Sequence, residues 1–289
     1  MAVELEKFRH IDMDVAHSEK IVRPSMTYWQ DAWRRLKTNK MAMASMIILA
    51  IIILMAIIGP HLSPYTFAEQ DYNAVFSPPS REHFFGTDDL GRDLFVRVWM
   101  GARVSLRIGF FAAIINIIIG MVYGGISGYF GGRTDNIMMR IVDILYAIPY
   151  MIIVILLMIV MEPGEFTLIL AMSITGWVGT ARLVRGQILQ MKNQEFVMAA
   201  KSLGASSWRI ITKHLFPNIL GVMIVQMTMD IPGAIFSESF LSYIGLGIKL
   251  PNASWGSLAS DGIKQIVDKP WILAFPALMI CITMLSFNI

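Results

Sequence analysis

Long uncharged runs separated by short polar clusters dominate the chain. Met41–Ile58 is one run without Asp, Glu, Lys or Arg, and about 18 such apolar residues suffice for a helix to cross a bilayer. Further uncharged runs lie between Arg107 and Arg133, between Asp143 and Glu162, over Phe166–Ala181, from about Phe216 to Phe236 around Asp230, and from Pro270 to Ile289. The pattern predicts an all-α integral membrane protein with six transmembrane helices, over about 41–60, 106–128, 137–161, 165–181, 216–236 and 270–289. An even number puts both ends on one side. Cytoplasmic segments collect Lys and Arg. The tail from Lys7 to Lys40 and the loops after the second and fourth spans, from Arg133 to Lys213, hold 16 of the 24 such residues. That asymmetry sets the topology as N-in/C-in. Five of the remaining cations, Arg81, Arg92, Arg97, Arg103 and Arg107, crowd the long first outer loop.

Residues 1–40 form the cytoplasmic tail. Residues 1–25 are polar without a period and read as flexible. Tyr28, Trp29, Trp33 and Leu36 then fall at helical spacing beside Arg34, Arg35, Lys37 and Lys40. This is an interfacial amphipathic helix, with aromatic rings at headgroup depth and cations toward the anionic lipid bilayer. The last span ends at Ile289 with no basic anchor, so the chain is expected to continue beyond it.

Composition narrows the function. The chain has 289 residues, 55% hydrophobic and 16% charged, which excludes disorder. The single cysteine, Cys281, excludes a disulfide framework and a cysteine zinc site. A net charge of +3 does not suggest a nucleic-acid surface. There is no phosphate-cradling GxxxxGK[ST], no HExxH and no GxSxG, and the five histidines are scattered. No catalytic residue and no metal site is expected, and no cofactor bound by this chain. Transport is favoured over catalysis.

Four features remain as candidates. The first is the loop at 191–214. Glu195–Leu203 is strongly helix-forming, Gly204 permits a turn, and a second short helix can follow with Trp208, Ile211 and Leu215 apolar and Arg209, Lys213 and His214 polar. Pro217 starts the next span, where proline is tolerated. Small Ala199 and Ala200, expected to be exposed, suit insertion into a partner's groove; an ordinary amphipathic connector is equally compatible with the residues. The second feature is a run of Gly120, Gly124, Gly128 and Gly132, one stripe of a helix, suited to close packing within the chain or with a partner, or to a pore lining. The third is Asp230, the carboxylate inside a span, which costs several kcal/mol unless it faces water or a partner. It could line a substrate path and meet an amino group, pair with an arginine of another subunit, or reach the interface. Glu238 lies at the outer mouth, less constrained. In the fourth, Gly86–Asp93, three carboxylates surround Arg92; a capped turn with Asp88 or Asp89 at a helix N-terminus is preferred to a calcium site. Gly91–Arg107 reads as an amphipathic helix whose arginines snorkel to headgroups. The 22 methionines are spread without clustering and read as packing.

The loop Glu195-Phe-Val-Met-Ala-Ala-Lys-Ser-Leu-Gly204, through Ala205 and Arg209 to Pro217, resembles the EAA loop of bacterial ATP-binding cassette importers. Ala199, Ala200, Gly204 and Pro217 match that pattern, whereas Met198 stands where Glu is usual, and His214 and Phe216 where Ile and Leu are usual. Other stretches are similar to permeases for dipeptides, oligopeptides and nickel: His83–Asp93 with Gly101–Leu106, Gly128–Asp135 with Arg140–Asp143 and Pro149, and Glu238–Gly247 with Ser254–Gly256. The resemblance covers most of residues 30–289. It implies a type I importer permease fold of the "C" type in the bacterial cytoplasmic membrane, with Glu195–Lys213 as the coupling helix. It further implies a homologous second permease, two ATPase subunits that hold the ATP and Mg, and an extracytoplasmic substrate-binding protein. Peptides are the expected substrate, with nickel or another small solute as alternatives. A rival is an ion-driven secondary carrier using Asp230, although no internal repeat is visible.

Overall fold

The computed structural model describes residues 27–249 and 251–289, so the expectation for residues 1–25 lies outside the described residues. Two units are distinguished, Met1–Met43 and Ala44–Ile289. In the first, α1 (Tyr28–Thr38) is closed by a capping box, Gln30 N donating to Thr27 Oγ1 and Thr27 N to Gln30 Oε1. Asp31 pairs with Arg34 and Arg35, and Lys37 lies over the Trp33 ring. This is the amphipathic helix expected from the spacing.

The second unit is mainly helical, with a long irregular loop over 62–93 between its first two long helices. It comprises most of α2 (Lys40–Ile58), then α3 (Leu94–Phe130), α4 (Gly132–Ala147), α5 (Tyr150–Val160), α6 (Glu165–Met191), α7 (Glu195–Ser202), α8 (Ser207–Tyr243), α9 (Trp255–Ile263) and α10 (Trp271–Asn288). Five helices, α2, α3, α6, α8 and α10, are long and apolar enough to cross a membrane. The sixth span is broken: α4 and α5 meet at 78°. Pro149 is the physical cause. It disfavours helix at the preceding residue, and Ile148 is extended at φ −78°, ψ 122°. The straight helix expected over 137–161 is therefore two helices.

Three expected spans also run longer than their apolar cores. α3 begins at Leu94 rather than 106, α6 continues to Met191 rather than 181, and α8 covers 207–243 rather than 216–236. The 37 residues of α3 span about 55 Å, well beyond a hydrocarbon core of about 30 Å. The helix expected over Gly91–Arg107 as a lead into the second span is present from Leu94 and continuous with that span. Its charged residues find partners within the chain. Asp93, not Asp88 or Asp89, caps α3 by accepting from Val96 N at 2.9 Å, and its other oxygen meets His83 Nδ1 at 2.9 Å. Asp88 accepts from Arg92 Nε at 2.7 Å and lies 3.3 Å from Arg97 Nε. Arg97 is 1% exposed and also donates to the Phe67 carbonyl. It is buried rather than snorkelling. Arg103 donates to the Ala56 and Ile57 carbonyls at the end of α2, and Arg107 pairs with Glu165.

The glycine stripe packs α3 on α6. A Cβ on Gly120 would lie 2.6 Å from Thr180 Cβ. On Gly124 it would lie 2.9 Å from Val184 Cβ, and on Gly128 2.9 Å from the Arg185 carbonyl oxygen. The stripe is therefore a seam within the chain. Gly132 is not part of it, for nothing lies within 4 Å of its missing Cβ, and it opens α4 at φ +55°. At the same end, Lys192 Nζ donates to the Gly128 carbonyl, and Arg185 makes two 2.6 Å bonds to Asp135. Overpacking such a seam costs about 1–3 kcal/mol. Gly124→Val is expected to lower the melting temperature of the purified protein by several degrees. Gly186→Ala, on α6 with no atom within 4 Å of its missing Cβ, should not lower it. Thermal unfolding in detergent followed by intrinsic tryptophan fluorescence checks both.

Candidate coupling surface and transmembrane cavity

The loop after α6 folds as a compact helix–turn–helix. α7 ends in a Schellman motif: Gly204 N donates to the Lys201 carbonyl and Ala205 N to the Ala200 carbonyl. That motif needs a left-handed residue, and Gly204 has φ +80°. Ser206 then caps the next helix through Arg209 N. Val197 and Ala200 point inward onto Ile210, Ile211, Leu215, Val184 and Ile188. Ala200, expected to be exposed, is only 7% exposed; Ala199 beside it is exposed. The outward face of this segment is apolar as well. Leu203 is 87% exposed, and Phe196, Met198 and Trp208 are exposed. Apolar side chains at a polar loop mark an interaction surface.

Ala200, Leu203, Gly204, Ala205, Ser206, Arg209 and His214 line one groove of about 500 Å³. Glu195 is exposed in the first turn of α7. No separate short helix follows the turn. Ser207 opens α8 itself, which contains a π-helical turn over Ile210–Leu215. Pro217 falls in the first turn of the α-helical stretch Phe216–Tyr243, as expected for a proline that starts a span, and the π turn joins that stretch to Ser207. The missing proline N–H leaves a gap in the helical ladder, and the preceding wide turn, where Phe216 N donates to the Ile211 carbonyl, adjoins it.

A second cavity, of about 310 Å³, lies between α3, α5, α6 and α8. It is lined by Asn116, Tyr150, Thr175, Gly176, Asp230 and Ser237, with Met172, Met229, Gly233 and Ala234 as its apolar part. Asp230 Oδ1 accepts one bond, from Gln226 Nε2 at 2.8 Å. Asn116 Oδ1 and the Tyr150 hydroxyl are buried without a partner. Sequence reasoning singled out Asp230 but missed Asn116 and Tyr150. The signal for Asn116 was present: it is a lone amide within Phe110–Ile119.

Glu238 is not at an open mouth. It is 0% exposed and accepts from three hydroxyls: Ser254 at 2.5 Å, Ser242 at 2.7 Å and Ser105 at 3.1 Å. Ser105 Oγ in turn accepts from Trp255 N, and Trp255 Nε1 donates to the Val98 carbonyl. Glu238 thus ties α3, α8 and α9 together and touches neither cavity.

Residues 108–289 match the sequence profile of the binding-protein-dependent transport system inner membrane component. The chain belongs to that family. Residues 27–79 further match the N-terminal TM domain of oligopeptide transport permease C. Among relatives, the dipeptide transport system permease protein DppC of Bacillus subtilis is 55% identical, over 94% of this chain and 85% of its own length. The oligopeptide transport system permease protein OppC of the same organism is 53% identical, over 94% and 89%. OppC of Escherichia coli is 42% identical, over 94% and 90%. The fold is similar to an inward-facing structure of the methionine ABC transporter MetNI, with a TM-score of 0.55 and 16% identity over 68% of this chain and 93% of that one. The protein is thus an inner-membrane permease component of an ABC importer with the type I fold, a transport subunit of a class that works with ATPases. The ion-driven carrier falls with that membership.

Removing the Glu238 carboxylate would leave three buried hydroxyls short of an acceptor, at about 1–3 kcal/mol for each left unsatisfied. Glu238→Ala is expected to destabilise the protein by roughly 3 kcal/mol or more. Glu238→Gln, which keeps the shape and one oxygen, should cost less. Melting curves of the two variants against the native chain test the order.

Proposed function

We propose that this permease component carries dipeptides or oligopeptides inward across the bacterial cytoplasmic membrane by alternating access. It would do so with a homologous second permease, two ATPase subunits and an extracytoplasmic substrate-binding protein. ATP and Mg belong to the ATPases. Relatives named as dipeptide and oligopeptide permeases, at up to 55% identity over nearly the whole chain, support the substrate class.

The observation that carries the coupling role is the exposed surface of Glu195, Ala199 and Leu203 beside the groove lined by Gly204, Ala205 and Arg209. The inner face of α7, Val197 and Ala200, packs on Ile210, Ile211 and Leu215 of α8 and on Val184 and Ile188 of α6. When ATP closes the ATPase pair, displacement of α7 is delivered to these two helices. The same two helices pass through the wall of the membrane cavity, α8 at Asp230 and α6 at Thr175 and Gly176. Packed rigid helices with two discrete arrangements are what such coupling requires. Pro217 serves this path by keeping the wide turn of α8 in place.

Leu203 is the informative residue to change, because its exposure leaves the fold of this chain untouched, whereas Ala200→Asp would disturb the core. Leu203→Asp is expected to lower recovery of the ATPases about tenfold in a gentle-detergent pull-down of the tagged chain from native membranes, the loss of one buried apolar anchor. The native chain should bring down a second permease and ATPase subunits, identified by mass spectrometry. A native chain that purifies alone, or a Leu203→Asp chain with full ATPase recovery, would overturn the docking role.

A further inference from the structure

We propose that the cavity between α3, α5, α6 and α8 is a transit site for the α-ammonium group of a peptide, held by the carboxylate of Asp230 with Asn116 Oδ1 and the Tyr150 hydroxyl. The inference rests on the peptide-importer reading and adds to it a site within the membrane-spanning domain.

An ionised carboxylate has room for about four hydrogen bonds. Asp230 receives one from a side chain, Gln226 at 2.8 Å. Among the described residues no Lys, Arg or His pairs with it. A carboxylate in a span without a cation is costly and marks a functional path. Two further lining residues carry an unused oxygen: Asn116 Oδ1 and the Tyr150 hydroxyl are both buried and without partners. These groups do not belong to one element. Asn116 comes from α3, Tyr150 from α5 and Asp230 from α8.

Two local features hold them there. Gly176 gives space for the amide: a Cβ at that position would lie 2.8 Å from Asn116 Cγ. Tyr150 is the first residue of α5, next to the 78° break at Pro149. Broken backbone at membrane depth is tolerated where it is buried in protein or lines a cavity. The break therefore positions the tyrosine.

The chemistry selects an ammonium. Such a group presents three N–H donors and one positive charge, matching one carboxylate and two neutral acceptors. A peptide carboxylate would face the Asp230 carboxylate with no cation in the lining to offset the repulsion. The remaining wall, with Met172, Met229 and Ala234, offers flexible apolar surface that tolerates different side chains. A volume of about 310 Å³ fits a peptide end rather than a long chain.

The test uses the assembled transporter in lipid nanodiscs, without the binding protein, and trialanine and N-acetyl-trialanine as probes. Acetylation removes the charge and leaves the rest of the peptide. The native complex is expected to bind trialanine about tenfold more tightly than the acetylated form, as for one charge-assisted contact. Asp230→Asn should bring that ratio to about one, and Asp230→Glu should restore part of it. A native ratio of one, no binding of either probe, or a full ratio in Asp230→Asn would overturn the site. If Asp230→Asn does not assemble on size exclusion, Tyr150→Phe decides: a ratio reduced about threefold supports the site, and an unchanged ratio overturns it. Uptake of trialanine by the native complex with its binding protein in proteoliposomes separates the two readings. Uptake with a ratio of one leaves the importer and removes the site; no uptake removes the peptide substrate and the site together.

Discussion

The contact of α3 with α6 along Gly120, Gly124 and Gly128 is the constraint on which the molecule hangs. Lipid tails are as apolar as the helices, so no hydrophobic drive brings two spans together. Close backbone approach has to supply the attraction, and only the absence of side chains permits it. The same two helices support both candidate sites. α6 delivers the chain into the coupling loop at one end and lines the cavity in the middle. α3 contributes Asn116 to that cavity and, through Ser105, accepts the carboxylate-bridged bundle at the far end.

The two ends of the bundle are stabilised by different chemistry. At the first-loop end, charges are buried and compensated. Asp88 bridges Arg92 and Arg97, Asp93 serves both a helix N-terminus and His83, and Glu238 collects hydroxyls from three elements. At the coupling end, the chain exposes apolar side chains instead, while its inward face is a dry cluster of Val197, Ile210, Ile211 and Leu215. One end of the bundle is thus held by buried polar groups, and the other presents exposed apolar side chains.

Much of this was legible in the chain itself. Uncharged runs located every span, because charge in hydrocarbon is expensive and its absence is easily read. Four-residue glycine spacing revealed the seam, and the Gly204 loop revealed a helical turn, since both depend on local geometry. The limits of the helices were not legible. Arg97 and Arg182 belong to continuous helices because partners such as Asp88 and Asp143 neutralise them, and partners distant in sequence cannot be assigned from spacing. Glu238 illustrates the same point: its three serines lie 4, 16 and 133 positions away. Gly132 fell off the stripe because Gly131, at φ +66°, had already ended α3. Tyr150 was hidden for another reason, for an apolar run gives no sign of which ring edge faces a void.

The π turn over Ile210–Leu215 has a geometric effect on all that lies beyond it. With 3.6 residues per turn, taking one residue into or out of a wide turn changes the angular phase of the following helix by about 100°. The turn carries the residues on which α7 packs, Ile210, Ile211 and Leu215, and precedes the part of α8 that carries Asp230. The azimuth at which the carboxylate meets the cavity is therefore set about five turns away, at the segment on which α7 packs.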